Sequence, residues 1–252
     1  MRFLVFILLL ISTANAQPMR FFLGAMGQYF PIVTNGLIAN ITAQNSTSYN
    51  GVGSNWYDIS GTGNNTTLVS SPTFSTSTSG YFNFNGSQYA SFGKQMISGL
   101  SSSTVCLWVK VSSGGGGAMY CERASSGNDI WKVDNGSGSD GYKIGFVQRN
   151  DAGNLTQIKT TTLIIGGNWT NICVTNNANA ITIYINGVSS ATGSITNSTL
   201  TNSGLDARIG SDKGDGTQGY NGAASVCLLY NRALSSTEVT QNFNALKSIY
   251  GL

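Results

Sequence analysis

The segment Ala180–Gly187 sets the fold class of this chain. Ile181, Ile183 and Ile185 alternate with Thr182 and Tyr184, and Asn186-Gly187 follows at once. Apolar residues at every second position make one face of a half-buried strand, and Asn-Gly suits a tight hairpin turn. Further strand-length runs recur at Gly80–Phe84, Thr104–Val111, Lys143–Gln148, Thr160–Ile165, Thr170–Thr175, Ala207–Gly210 and Ala223–Tyr230. Asn-Gly, Gly-Gly, Asn-Asn and Ser-Gly separate them, and many short strands so punctuated fold as a sandwich or barrel. One helix is expected near the C-terminal end. Ser235 is a good N-cap, Glu238 sits three residues later as its capping-box partner, and Val239, Phe243 and Leu246 form one apolar stripe. Ser60–Ser79 and Ser112–Gly117, rich in small polar residues and glycine, read as flexible surface connections.

The opening MRFLVFILLLISTANAQ has the plan of a secretory signal. Arg2 supplies the positive charge, Phe3–Ile11 the apolar run, and Ala14-Asn15-Ala16 the small residues before a cut at Gln17. The run is less than half the roughly 20 residues that a spanning helix needs. The expected organisation is a signal peptide over 1–16, an N-terminal extension over 17–34 and one domain over 35–252, secreted and not inserted in a membrane. Only 9% of the residues are charged, and the net charge of +3 comes from scattered Lys and Arg. No basic stripe points to nucleic acid. The chain contains no histidine, which removes the usual general base and the commonest transition-metal ligand. Four cysteines, Cys106, Cys121, Cys173 and Cys227, form two disulfides in an oxidising compartment, and their spacing does not suit zinc.

Several ordered motifs give the chain a likeness to a known family. Ser54–Asn65 carries W-x-D-x-S-G-x-G-N, and Phe82–Ser87 reads F-N-F-N-G-S. Val105–Lys110, Asn168–Thr175, Ile183–Val188 and Leu229–Ser235 follow in order. From Asn35 to Leu252 the chain resembles the laminin G-like, concanavalin A-like jelly-roll family, to which the pentraxin fold is related. The resemblance implies an all-β jelly-roll β-sandwich with a short C-terminal helix. Thr104-Val105-Cys106-Leu107 and Asn171-Ile172-Cys173-Val174 are similar to the two pentraxin strands joined by a disulfide, which implies Cys106–Cys173. The two cysteines without a counterpart there are then expected to pair as Cys121–Cys227.

The same resemblance implies a ligand and calcium loop at Ser211–Gly222, after the strand Ala207–Gly210. Asp212 and Asp215 are its candidate calcium ligands, and Gln218 and Asn221 its candidate ligand-binding amides. Calcium takes six to eight oxygens, and two carboxylates suit a solvated polar loop better than a strong site. Trp131 and Tyr220 lie in loop-like contexts and are the candidates for stacking on a sugar ring, against a packing role. Trp56, Trp108 and Trp169 sit in family motifs and are expected in the core.

Catalysis finds little support. No acids recur at strand spacing as a glycosidase pair, and a Ser-His-Asp triad is impossible without histidine. The expected function is therefore a secreted, non-catalytic module that binds a glycan. The alternatives are a structural or adhesion protein contacting a surface protein, on a cell or virion, and a diverged glycoside hydrolase. Nine Asn-x-Ser/Thr sequons, among them Asn45, Asn85, Asn154 and Asn168, would mark a glycoprotein in a host that modifies them.

Overall fold

The computed structural model describes residues 31–112, 116–124, 130–136, 143–150, 153–164, 167–196, 200, 204–212 and 219–252. The expected signal peptide and most of the extension lie outside them. Among the described residues, sixteen strands form two eight-stranded antiparallel sheets. The first sheet, A, contains β1 (Leu37–Thr42), β4 (Thr73–Ser75), β5 (Tyr81–Asn85), β7 (Ser102–Val111), β12 (Trp169–Asn177), β13 (Ala180–Ile185), β14 (Val188–Ser194) and β16 (Asn221–Tyr230). It runs β14-β13-β12-β7-β16-β5-β4. β1 follows β5 along the free side of β16, and the partner changes at a register shift around Ser225. The second sheet, B, runs β11 (Leu155–Leu163), β10 (Lys143–Arg149), β9 (Ile130–Asn135), β8 (Gly117–Ala124), β15 (Leu205–Ile209), β6 (Tyr89–Ser91), β3 (Thr66–Val69) and β2 (Asn55–Trp56).

Strand alternation places one core between the sheets. Val105, Leu107 and Val109 of β7, Val174 of β12 and Ile181 and Ile183 of β13 meet Tyr120 of β8, Trp131 and Val133 of β9 and Phe146 of β10. The hairpin at Asn186-Gly187 forms as the sequence requires, with φ of 51° and 79°. Asp58 organises the W-x-D-x-S-G-x-G-N turn from within. Its carboxylate accepts backbone hydrogen bonds from Asn40, Ser60 and Asn64 and hydroxyl bonds from Ser60 and Thr62. Ser60–Ser79, expected as a flexible connection, contributes β3 to one sheet and β4 to the other.

The C-terminal helix packs on the outer face of sheet A. The helix α1 (Ser236–Leu246) starts at Ser235 with both capping-box bonds present. Val239, Phe243 and Leu246 join Trp108, Trp169, Val226, Leu228 and Tyr250 in a second apolar layer. Tyr250 stacks on Trp108 with ring centroids 3.9 Å apart and planes at 11°. Residues before Asn35 belong to this packing. Val33 is buried, and its N–H donates to Asn242 Oδ1 (2.8 Å) while its carbonyl accepts from the Tyr230 hydroxyl (2.9 Å). Among the described residues no helix is long and apolar enough to cross a membrane.

The cysteines divide by sheet and face. Cys106 and Cys173 are direct cross-strand partners on β7 and β12 and are joined by a disulfide beneath the helix. Cys121 and Cys227 are free thiols, which corrects the expected second bridge. The reason is side-chain parity. Cys227 points into the core between the sheets, whereas Cys121 pairs with Arg208 and Lys132 and shares their side, the outer face of sheet B. A sheet separates the two sulfurs.

Candidate functional site

The outer face of sheet B carries the polar chemistry. The pairings align Asn55, Thr67, Ser91, Arg208, Cys121, Lys132, Val147 and Gln157 in one row across all eight strands. Directly paired residues share a face of the sheet. At strand spacings of about 4.8 Å the row is roughly 34 Å wide. Two strands carry opposite charges at i and i+2: Lys132 and Asp134 on β9, Asp206 and Arg208 on β15. This concentrates charge in a chain that has little of it.

Asp212, three residues past β15, reaches over this face and is buried there. Its Oδ1 accepts from Arg123 (2.8 Å) and its Oδ2 from Lys132 (3.3 Å), and Lys132 also contacts Asp134 (3.0 Å). Arg208 donates to Asp206 (3.0 Å) and to the Asp212 carbonyl (3.3 Å). The two carboxylates that share Lys132 are pushed apart in acidity. Burial raises Asp134 and outweighs the neighbouring Lys132. Burial also opposes ionisation of Asp212, but the Arg123 hydrogen bond and the charges of Lys132 and Arg123 prevail and hold it below the ordinary carboxylate value. The Cys121 thiol beside Asp212 is raised well above its usual value by burial and by that carboxylate, so it is not an activated nucleophile.

The other root of this loop is fixed by backbone. Gly219 bridges Ala118, and the Tyr220 carbonyl accepts from the Gly86 N–H (3.1 Å). Gly86, Gly117 and Gly219 approach so closely that a Cβ on Gly219 would collide with the Gly86 carbonyl, and one on Gly117 with the Gly219 carbonyl. The loop thus springs from one root pinned by charge and another clamped by glycines. Asn221 is exposed at the head of β16, directly paired with Asn85. Gln218 and Asp215 lie outside the described residues.

Two ring candidates are corrected. Trp131 is fully buried on β9, edge-on to Tyr120 and Phe146, and Tyr220 is fully buried with its hydroxyl donating to the Ala223 carbonyl. Neither can stack on a sugar. Asp212 also fails as a calcium ligand, because both its oxygens are held by cationic side chains. Among the described residues no three His, Cys, Asp or Glu side chains are grouped to hold a metal. Arg123, Lys132, Asp134, Asp206 and Arg208 were not singled out from sequence, although the i, i+2 charge pairs were there to be read.

Two stacked antiparallel sheets, one packed against a C-terminal helix and the other carrying a charged outer face, define a jelly-roll sandwich of the lectin type. The chain belongs to the concanavalin A-like lectin/glucanase superfamily, whose family model matches residues 84–240. Among similar solved structures is domain 4 of a GH43 extracellular arabinanase of Geobacillus stearothermophilus, in complex with arabinotriose. Its TM-score is 0.66 at 19% identity, over 82% of this chain and 97% of that one. The binding domain of Paraclostridial mosquitocidal protein 1 gives 0.64 at 18%, over 84% of this chain. The binding domain of botulinum neurotoxin DC, in complex with SialylT, gives 0.65 at 15%, again over 84% of this chain. The chain spans about half the length of these two toxin domains, 52% of each. At these identities the likeness is one of fold. No curated protein sequence matches the chain.

Proposed function

We propose that this chain is a secreted, non-catalytic carbohydrate-binding module whose ligand contacts come from the loop 211–222 and the adjoining outer face of sheet B. The observation that carries the reading is the fixing of both described roots of that loop, Asp212 by Arg123 and Lys132 and Gly219–Tyr220 by close backbone contacts, beside a charged outer face. A loop rooted on a rigid scaffold is a common plan for binding sites. Lys132 sits between Asp134 and Asp212, where a glycosidase would need space for the scissile bond or a water, and this argues for binding without hydrolysis. The complexes of the similar folds with arabinotriose and SialylT support a glycan as ligand. The signal-like residues 1–16 and the Cys106–Cys173 disulfide support secretion.

A glycan array with the purified chain, paired with hydrolysis assays on the bound sugars, tests the proposal. Specific binding that is weakened by Lys132→Ala or Asn221→Ala supports it. Silence across the array would favour a structural or adhesion role through protein contacts, and sugar release would restore the glycosidase alternative.

A further inference from the structure

A concave site lies at the edge of the sandwich, where the end of β11 in sheet B comes near the start of β12 in sheet A. A cleft of about 450 Å³ opens between the end of β11, the start of β12 and the residues after α1. Its lining includes Trp169 and Tyr250, whose ring centroids are 4.9 Å apart, together with Asn168 and Thr170. Leu163 and Leu252 also line it, each about half exposed. Trp169 and Tyr250 keep only a small exposed edge, so the cleft offers ring edges and aliphatic flanks beside the exposed Asn168 amide. Lys110 adds one positive charge nearby, since its Cε would lie 3.8 Å from a Cβ on Gly167.

We propose that this cleft is a separate binding subsite for a terminal sugar ring. A sugar ring has an apolar C–H face and a rim of hydroxyls, and the cleft has both kinds of wall. A purely apolar ligand would bury the exposed Asn168 amide without a partner, which is costly. The volume is toward the small end of the 300–1,000 Å³ typical of ligand pockets and suits one or two rings. The cleft and the loop 211–222 lie at the same end of the sandwich, since the Gly167 N–H donates to the Val111 carbonyl and Val111 pairs with Gly222; a glycan of several rings seated at the loop would reach the cleft with a terminal ring.

Amide and indole shifts of the ¹⁵N-labelled chain, titrated with D-glucose, D-galactose, L-arabinose and N-acetylglucosamine, test the proposal. The expected result is that at least one sugar shifts Asn168, Thr170 and the Trp169 indole. Asn168→Ala should weaken that binding about fivefold, the scale of one lost polar contact. Thr162→Trp, at an exposed lining position, should fill the cleft and abolish it. Unchanged thermal midpoints would show that both variants fold. No shift at the cleft with any of the four sugars would overturn the proposal, as would shifts that Thr162→Trp leaves intact. Shifts confined to the loop 211–222 and sheet B would overturn the second subsite while leaving the first reading standing.

Discussion

Replacing Cys106 and Cys173 together by alanine isolates what the disulfide contributes. The cysteines are 67 apart in sequence. In the chain-entropy model, closing a loop of that size removes about 4 kcal/mol of unfolded-state freedom at 25 °C. The substitution leaves the β7–β12 ladder intact, so little native-state energy should be lost beyond two buried sulfurs under the helix. A typical domain has about 5–15 kcal/mol to spare, so the variant should remain folded but fragile. Urea unfolding followed by tryptophan fluorescence is the assay. With a slope of about 2 kcal/mol per molar, the midpoint should fall by roughly 2 M. Alkylation of the unfolded wild type without reductant should label Cys121 and Cys227 only. A midpoint loss under about 0.5 M would refute the entropic argument, and protection of Cys121 and Cys227 in the unfolded, unreduced chain would refute the single bridge.

Three further outcomes follow from the packing and charges. Tyr250→Ala removes a ring stacked on Trp108 and should cost about 3 kcal/mol in the same assay; a loss below about 1 kcal/mol would mean the terminal segment closes the gap. Glu122 is fully buried, accepting three N–H bonds from Met96–Ser98 and hydroxyl bonds from Ser98 and Tyr120. Glu122→Leu strands those donors, so a cost of about 3 kcal/mol or more is expected by calorimetry, and a near-neutral result would contradict the bonding scheme. Asp212 is more acidic folded than unfolded, so its stabilisation is complete above about pH 4, the unfolded value, and is lost as pH falls through the folded one. Asp212→Asn should therefore be less stable at neutral pH and flatten the acid limb of the stability curve; an unchanged limb would place the acid sensitivity elsewhere.

The sandwich and its closing helix were legible because they rest on local signals. Alternation marks β13, Asn-Gly marks its turn, and Ser235 with Glu238 marks the start of α1. The neighbourhood of the site was harder to read. β8 and β9 are flanked by glycine and small polar residues, so Trp131 looked like a loop residue. Its alternation with Lys132, Val133 and Asp134 was nevertheless the signature of a strand with one core face and one charged face. The failed bridge has a related cause. Parity along β8 depends on a register shift between Ala118 and Tyr120, and a one-residue shift reverses which side chains face inward. Cysteine counting cannot detect that. The ion network joins residues from separate strands and a loop, and no local pattern announces Arg123 as the partner of Asp212, 89 positions away.

The early residues of the domain and its final helix are stitched to the same side. The Gln241 amide donates to the Pro31 carbonyl (2.8 Å), and the Gln44 amide and Tyr250 hydroxyl are bonded beside them. Anything fused ahead of Pro31 or behind Leu252 therefore departs from the sheet A side. A module immobilised or displayed through either end would turn its sheet B face toward the surroundings. Leu252 also sits at the mouth of the aromatic cleft, so a bulky affinity handle joined there would act as a stopper. Handles placed ahead of Pro31 are the better choice for any experiment meant to see both faces.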